Sequence, residues 1–135
     1  MAVVVCLRHL ATVFAYNDAM WGKYGQAMSS VVQFVDPKTK QVPATNLLNS
    51  SDYGRALPNN GISIPSVVKR GTHFAVCEMA TRRISGQVAS AVKADPQELF
   101  KEFSANLIPN GHLVAAGVVA VNRAQEYAYT LLTTL

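Results

Sequence analysis

Short apolar runs alternate with longer amphipathic stretches along this chain, and their spacing sets the expected fold. Ala2-Val3-Val4-Val5-Cys6-Leu7 is brief, continuous and β-branched, the pattern of a strand buried on both faces. Thr72-His73-Phe74-Ala75-Val76-Cys77 is a second such run. Lys69-Arg70-Gly71 before it reads as the basic last turn and closing glycine of a helix over about 62–70. A third run, His112-Leu113-Val114-Ala115-Ala116, follows the turn Ile108-Pro109-Asn110-Gly111 and ends at Gly117. Buried strands separated by helices predict a parallel sheet.

The intervening helices have readable ends. From Glu78 to Val92, Ala80, Ile84, Val88 and Ala91 form an apolar stripe at helical spacing. Asp95-Pro96-Gln97-Glu98 supplies an N-cap carboxylate, a proline in the first turn and a glutamate at N3, after which Leu99, Phe100, Phe103 and Leu107 recur at helical spacing. A last helix is expected over about 118–127, and the β-prone Tyr127 to Leu132 is expected to form a short fourth strand. Residues 11–28 also look helical. The stretch from 36 to 65 is rich in Pro, Asn, Ser and Thr and has no period, so it reads as a long loop, either a lid or a strap over a neighbouring subunit.

At 135 residues and 14.6 kDa the chain has room for one domain, taken as 1–135. With 50% hydrophobic and 15% charged residues, disordered and low-complexity classes are excluded. The longest apolar run, Ala2 to Leu7, falls far short of the roughly 20 residues of a membrane-spanning helix. As numbered, no basic segment precedes that run, so no export signal is read; the compartment stays open, cytoplasmic as written and periplasmic if an upstream signal has been removed. A net charge of +4 would permit a nucleic-acid surface, but the basic residues are scattered, Lys69-Arg70 and Arg82-Arg83 being the densest pairs, and no nucleic-acid partner is expected. The glycine-rich phosphate motifs and the G-x-S-x-G elbow are absent, and no His or carboxylate cluster has metal-ligand spacing. Neither a cofactor nor a metal is expected.

Candidate chemistry gathers at the carboxyl ends of the strands, where open parallel sheets bind ligands. Cys77 ends its strand and immediately precedes a helix, whose N-terminal amides favour a thiolate. Glu78 opposes this, and Arg82 or Arg83, about one turn on, can compensate. The same position also suits a small buried cysteine with no chemistry. Cys6 has the corresponding address on the first strand and is a possible second thiol, bridgeable to Cys77 if the strands are neighbours, at about 4.8 Å spacing. Arg8 and His9 follow it as candidate anion-binding groups. Asn17 and Asp18, beside Trp21, Lys23 and Tyr24, form a further polar and aromatic group near the first strand end.

The segment Gly71 to Cys77, a helix, and then Leu113-Val114-Ala115-Ala116-Gly117-Val118-Val119 through Asn122-Arg123-Ala124-Gln125-Glu126-Tyr127-Ala128-Tyr129 resembles the DsrE/DsrF-like family. That family ends a strand in Cys and later carries a V-P-x-G-V run leading to Gln and G-Y-A-Y. Val3 to His9, Phe14-Ala15, Asn17 to Trp21 and Lys23-Tyr24 are similar to a little-characterised branch of exported relatives. The resemblance implies a three-layer, flavodoxin-like parallel sheet flanked by helices, homo-oligomeric assembly, and persulfide transfer on Cys77 with a sulfur donor or acceptor protein as partner. A non-catalytic binding or assembly module is the competing expectation. Glu78-Met79 replaces the family's polar pair, Ala116 replaces its proline, and its first β-α unit has no counterpart before Ala2. Without that unit, Ala2 to Leu7 and Tyr127 to Leu132 are expected to be apolar edges that drive self-association, with the 36–65 loop reaching to the partner.

Overall fold

The computed structural model describes residues 3–53 and 62–131. Three parallel strands, β1 (Val4–Leu7), β2 (His73–Cys77) and β3 (Gly111–Val114), lie in the order 1-2-3. Helices α1 (Asp18–Val32) and α2 (Ile64–Val68) fall between β1 and β2. Helices α3 (Glu78–Val92) and α4 (Pro96–Ala105) fall between β2 and β3, and α5 (Gly117–Glu126) follows β3. The chain is thus an α/β protein with a parallel sheet and flanking helices.

Both crossovers step the same way across the sheet, and parallel crossovers are almost always right-handed, so their helices belong on one face. Packing agrees. The row Cys6, Ala75, His112 is set by the register, and strand alternation turns Val5, Leu7, Phe74, Val76 and Leu113 to the opposite face. Between themselves α1, α3 and α4 build a dense core of Trp21, Tyr24, Met28, Ile84, Val88 and Phe103. Tyr16 meets Phe103 edge-on at 4.5 Å between centroids, and the Trp21 indole N–H donates to the Val13 carbonyl. A smaller cluster of Ile64, Phe74 and Ile108 fills the space under α2. The Cys6 face carries α5.

Several expectations are corrected. Residues 11–28 do not form one helix: His9–Ala15 is a 3-10 turn, and Asn17 then caps α1 by accepting from the Met20 amide, so the asparagine starts a new element. β1 is not buried on both faces, because it is an edge strand; Val4 is 43% exposed and Val5 36%. No fourth strand forms over the described residues 127–131. Instead Ala128 enters the left-handed region, its amide bonds to Gln125 and the Tyr129 amide bonds to Ala124, which closes α5. Leu132 lies outside the described residues. α1 and α3 stop in the same way, on left-handed Gln33 and Lys93, with the Phe34 and Ala94 amides reaching back to Ser29 and Ala89.

Of the long loop, residues 36–53 strap across their own α1, and 54–61 lie outside the described residues. Asn46, 1% exposed, donates its amide to the Phe14 and Tyr16 carbonyls, while Asp18 accepts from the Asn46 backbone and the Asn49 side chain. Gly25 admits the strap: a Cβ there would stand 2.4 Å from the Pro43 carbonyl oxygen. Among the described residues no helix is long and apolar enough to cross a membrane.

Candidate functional site

The carboxyl ends of β1 and β2, the start of α3 and the start of α5 enclose a pocket of about 400 Å³. Arg8 and His9 come from the turn after β1, Cys77 from the end of β2, Arg83 from α3, and Ala116 and Gly117 from the turn into α5. His9 adopts a left-handed conformation that turns the chain sharply off the strand. Arg8, His9 and Arg83 line this wall, and among the described residues no carboxylate does.

Helix ends explain the polarity. Asn17, Ser63 and Asp95 cap α1, α2 and α4 with side-chain oxygens, whereas Cys77 and Ala116 cap α3 and α5 with none. The first amides of a helix have no partner within it and carry partial positive charge. The two helix starts lacking a side-chain cap are the two that border the pocket, so this cavity is suited to an anion.

Cys77 is 7% exposed and is held from beneath. Its carbonyl accepts from the Thr81 hydroxyl at 3.0 Å, which in turn accepts from the Tyr16 hydroxyl at 3.1 Å. Burial pushes the Tyr16 phenol well above the ordinary tyrosine range, so it stays a donor and the chain of bonds keeps one direction. Arg82 does not line the pocket. Its guanidinium makes two bonds to Glu78 and stacks over the Phe100 ring at 3.9 Å. The carboxylate following Cys77 is thereby paired, and the α3 cation at the pocket is Arg83.

Cys6 has a different setting. Its thiol donates to the Gly117 carbonyl at 3.5 Å, and burial pushes that thiol up against the pull of Arg8. A Cβ on Gly117 would stand 3.0 Å from the Cys6 sulfur and 3.1 Å from the Arg8 Cβ, so glycine is what lets α5 start this close to β1. Both cysteines are free thiols. The register pairs Cys6 with Ala75, which sets Cys77 two residues further along and places the two Cα atoms roughly 8 Å apart, beyond disulfide reach without backbone movement.

Asn17 and Asp18 are absent from the pocket wall. They cap α1 and anchor the strap, and Asn17 also donates to Asn106 at 3.3 Å. Sequence reading had no signal for Ala116 and Gly117 as wall, because only the return of α5 over β1 brings them to Cys77. Nor did it pair His73 with His112, whose ring nitrogens lie 3.1 Å apart at the other end of the sheet. Among the described residues no group of three or more His, Cys, Asp or Glu is placed to hold a metal. Comparison with known proteins finds no matching family model, curated protein or solved structure.

Proposed function

We propose that this chain is a thiol-based sulfur carrier of sulfurtransferase type, with Cys77 as the sulfur-bearing residue. The observation that carries this reading is the convergence of Arg8, His9, Arg83 and two helix starts without side-chain caps on the pocket holding Cys77. Such surroundings suit the anionic sulfur species that a thiol exchanges with. The resemblance to DsrE/DsrF-like proteins, and with it a flavodoxin-like ancestry for the sheet, supports the same reading.

In the transfer step the Cys77 thiolate attacks the outer sulfur of a persulfide R–S–SH. A new S–S bond forms on Cys77, the donor's S–S bond breaks, the donor leaves as R–S⁻, and the outer sulfur keeps its proton. Delivery to an acceptor thiolate is the same exchange in reverse. Arg8 and Arg83 stabilise the charge on the attacking and departing sulfurs, and neither has a carboxylate partner among the described residues.

Incubation with a low-molecular-weight persulfide and intact-mass measurement tests this. The expected result is one adduct of about 32 Da per chain, lost in Cys77→Ser, retained in Cys6→Ser and slowed in Arg83→Ala. An adduct that survives Cys77→Ser, or none on the unmodified chain, sinks the proposal. A second reading, an assembly module with a structural Cys77, is favoured by that residue's burial and by the exposed edge of β1, which suits a second copy of the chain. It predicts that Cys77 resists alkylation in the native protein and reacts in denaturant.

A further inference from the structure

The opposite end of the Cys6 face holds a larger feature, an apolar groove of about 470 Å³ between α5 and the sheet. Its cause lies in side-chain size. Ala75 on β2, Ala115 after β3, and Ala120 and Ala124 on α5 meet across the layer, and methyl groups do not span the space between a helix and a sheet. The groove opens to solvent and is lined almost wholly by apolar atoms, so an apolar chain laid along it would remove that surface from water.

The ends of the groove differ. Its charged and titratable nitrogens, His73, His112 and Arg123, cluster towards the amino ends of the strands, and no carboxylate lines it; Glu126, which pairs with Arg123 at 3.2 Å, stands outside the wall. His73 Nδ1 and His112 Nε2 share one hydrogen bond at 3.1 Å, with ring centroids 5.3 Å apart and the ring planes 22° from parallel. In either neutral tautomer the pair keeps one outward N–H: on His112 Nδ1 if His73 donates, on His73 Nε2 if His112 donates. Both imidazoles are exposed, so an incoming acceptor reaches them without displacing the core.

We infer that this groove binds a single-chain anionic amphiphile, its carboxylate on the His73–His112 pair and Arg123 and its alkyl chain along the alanines under α5. Among the described lining residues the site shares only Ala116 with the Cys77 pocket, and it stands whether or not Cys77 carries sulfur.

Decanoate and decyltrimethylammonium, with equal tails and opposite charges, are titrated below their micelle concentrations into the full chain, with amide shifts as the readout. Decanoate is expected to saturate at one per chain, with shifts confined to residues 73–75, 112–116 and 119–124, and to bind roughly tenfold more tightly than the cation. The His73→Gln, His112→Gln double variant, altered at exposed positions, is expected to lose that tenfold preference while keeping its melting temperature; Ala120→Phe, which fills the groove, is expected to abolish binding of both probes. Equal affinity for the two probes overturns the inference, as do shifts elsewhere in the chain. Binding only to anionic phospholipid vesicles and not to decanoate overturns it in favour of a membrane surface. A dimer in sedimentation that Val119→Arg converts to monomer overturns it in favour of a second copy.

Discussion

Two groups of helices are built to different standards. In one, α1, α3 and α4 enclose Trp21, Met28, Ile84, Val88 and Phe103, each at most 2% exposed. In the other, α5 alone returns over the strands, Gly117 being its buried residue while Val118 and Val119 are 54% and 51% exposed. Topology explains the asymmetry. Two crossovers in one direction put their helices on the same side, and a single terminal helix is left for the other. Both cavities border α5, and the Cys77 pocket also takes Arg83, Ile84 and Gln87 of α3 as wall, so room for ligands lies where α5 meets the sheet and the start of α3.

The contrast is sharpest in the response to truncation. Trp21→Ala removes a ring that is 1% exposed and stacks with Phe14, and takes one of two donors from the Val13 carbonyl, which keeps the Tyr16 amide. A loss of about 3–5 kcal/mol in denaturant unfolding is expected, enough to unfold a marginal domain. A smaller change would show that the dense group relaxes as readily as the sparse one.

Next in size is the strap over α1. Gly25→Ala drives a methyl group into the Pro43 carbonyl and is expected to cost about 1–3 kcal/mol, with faster proteolysis within 36–53. Gly86→Ala on α3 meets nothing within 4 Å and is expected to stabilise by up to about 1 kcal/mol through helix propensity. If both substitutions shift the midpoint the same way, the close approach at Gly25 is not what holds the strap.

The smallest effect belongs to α5. Val119→Ala is expected to change stability by less than about 0.5 kcal/mol, since half of its surface is already in water. A loss comparable to Trp21→Ala, measured in the same series, would mean that α5 is covered in solution and that the two groups are equivalent in the assembled protein.

Much of the fold was legible because its signals are local. The apolar runs at β1, β2 and β3, the cap at Asp95 and the stripe on α3 each depend on a few neighbouring residues, and those elements form where the pattern places them. The left-handed closures at Gln33, Lys93 and Ala128 were not legible, because no glycine marks them, although α3 ends at Val92 where the pattern places it. Tyr127 to Tyr129 misled for a related reason. Their β propensity has effect only beside a partner strand, and the backbone found its hydrogen bonds at the end of α5 first.

For the candidate site, the sequence by itself determined that Cys77 ends a strand before a helix, with Arg8 and His9 at the matching point of another. Tertiary structure decided the rest. The register separated Cys6 from Cys77, i and i+4 geometry gave Arg82 to Glu78, and rotation along α3 turned Arg83 to the pocket. The return of α5 across the sheet added the second helix start, with a glycine where a Cβ would meet Cys6 and Arg8. A strand or a cap is specified by short-range periodicity and hydrogen bonding, which one stretch of chain contains. A pocket is specified by which distant stretches meet, and that follows from crossover direction and packing, quantities that no single stretch encodes.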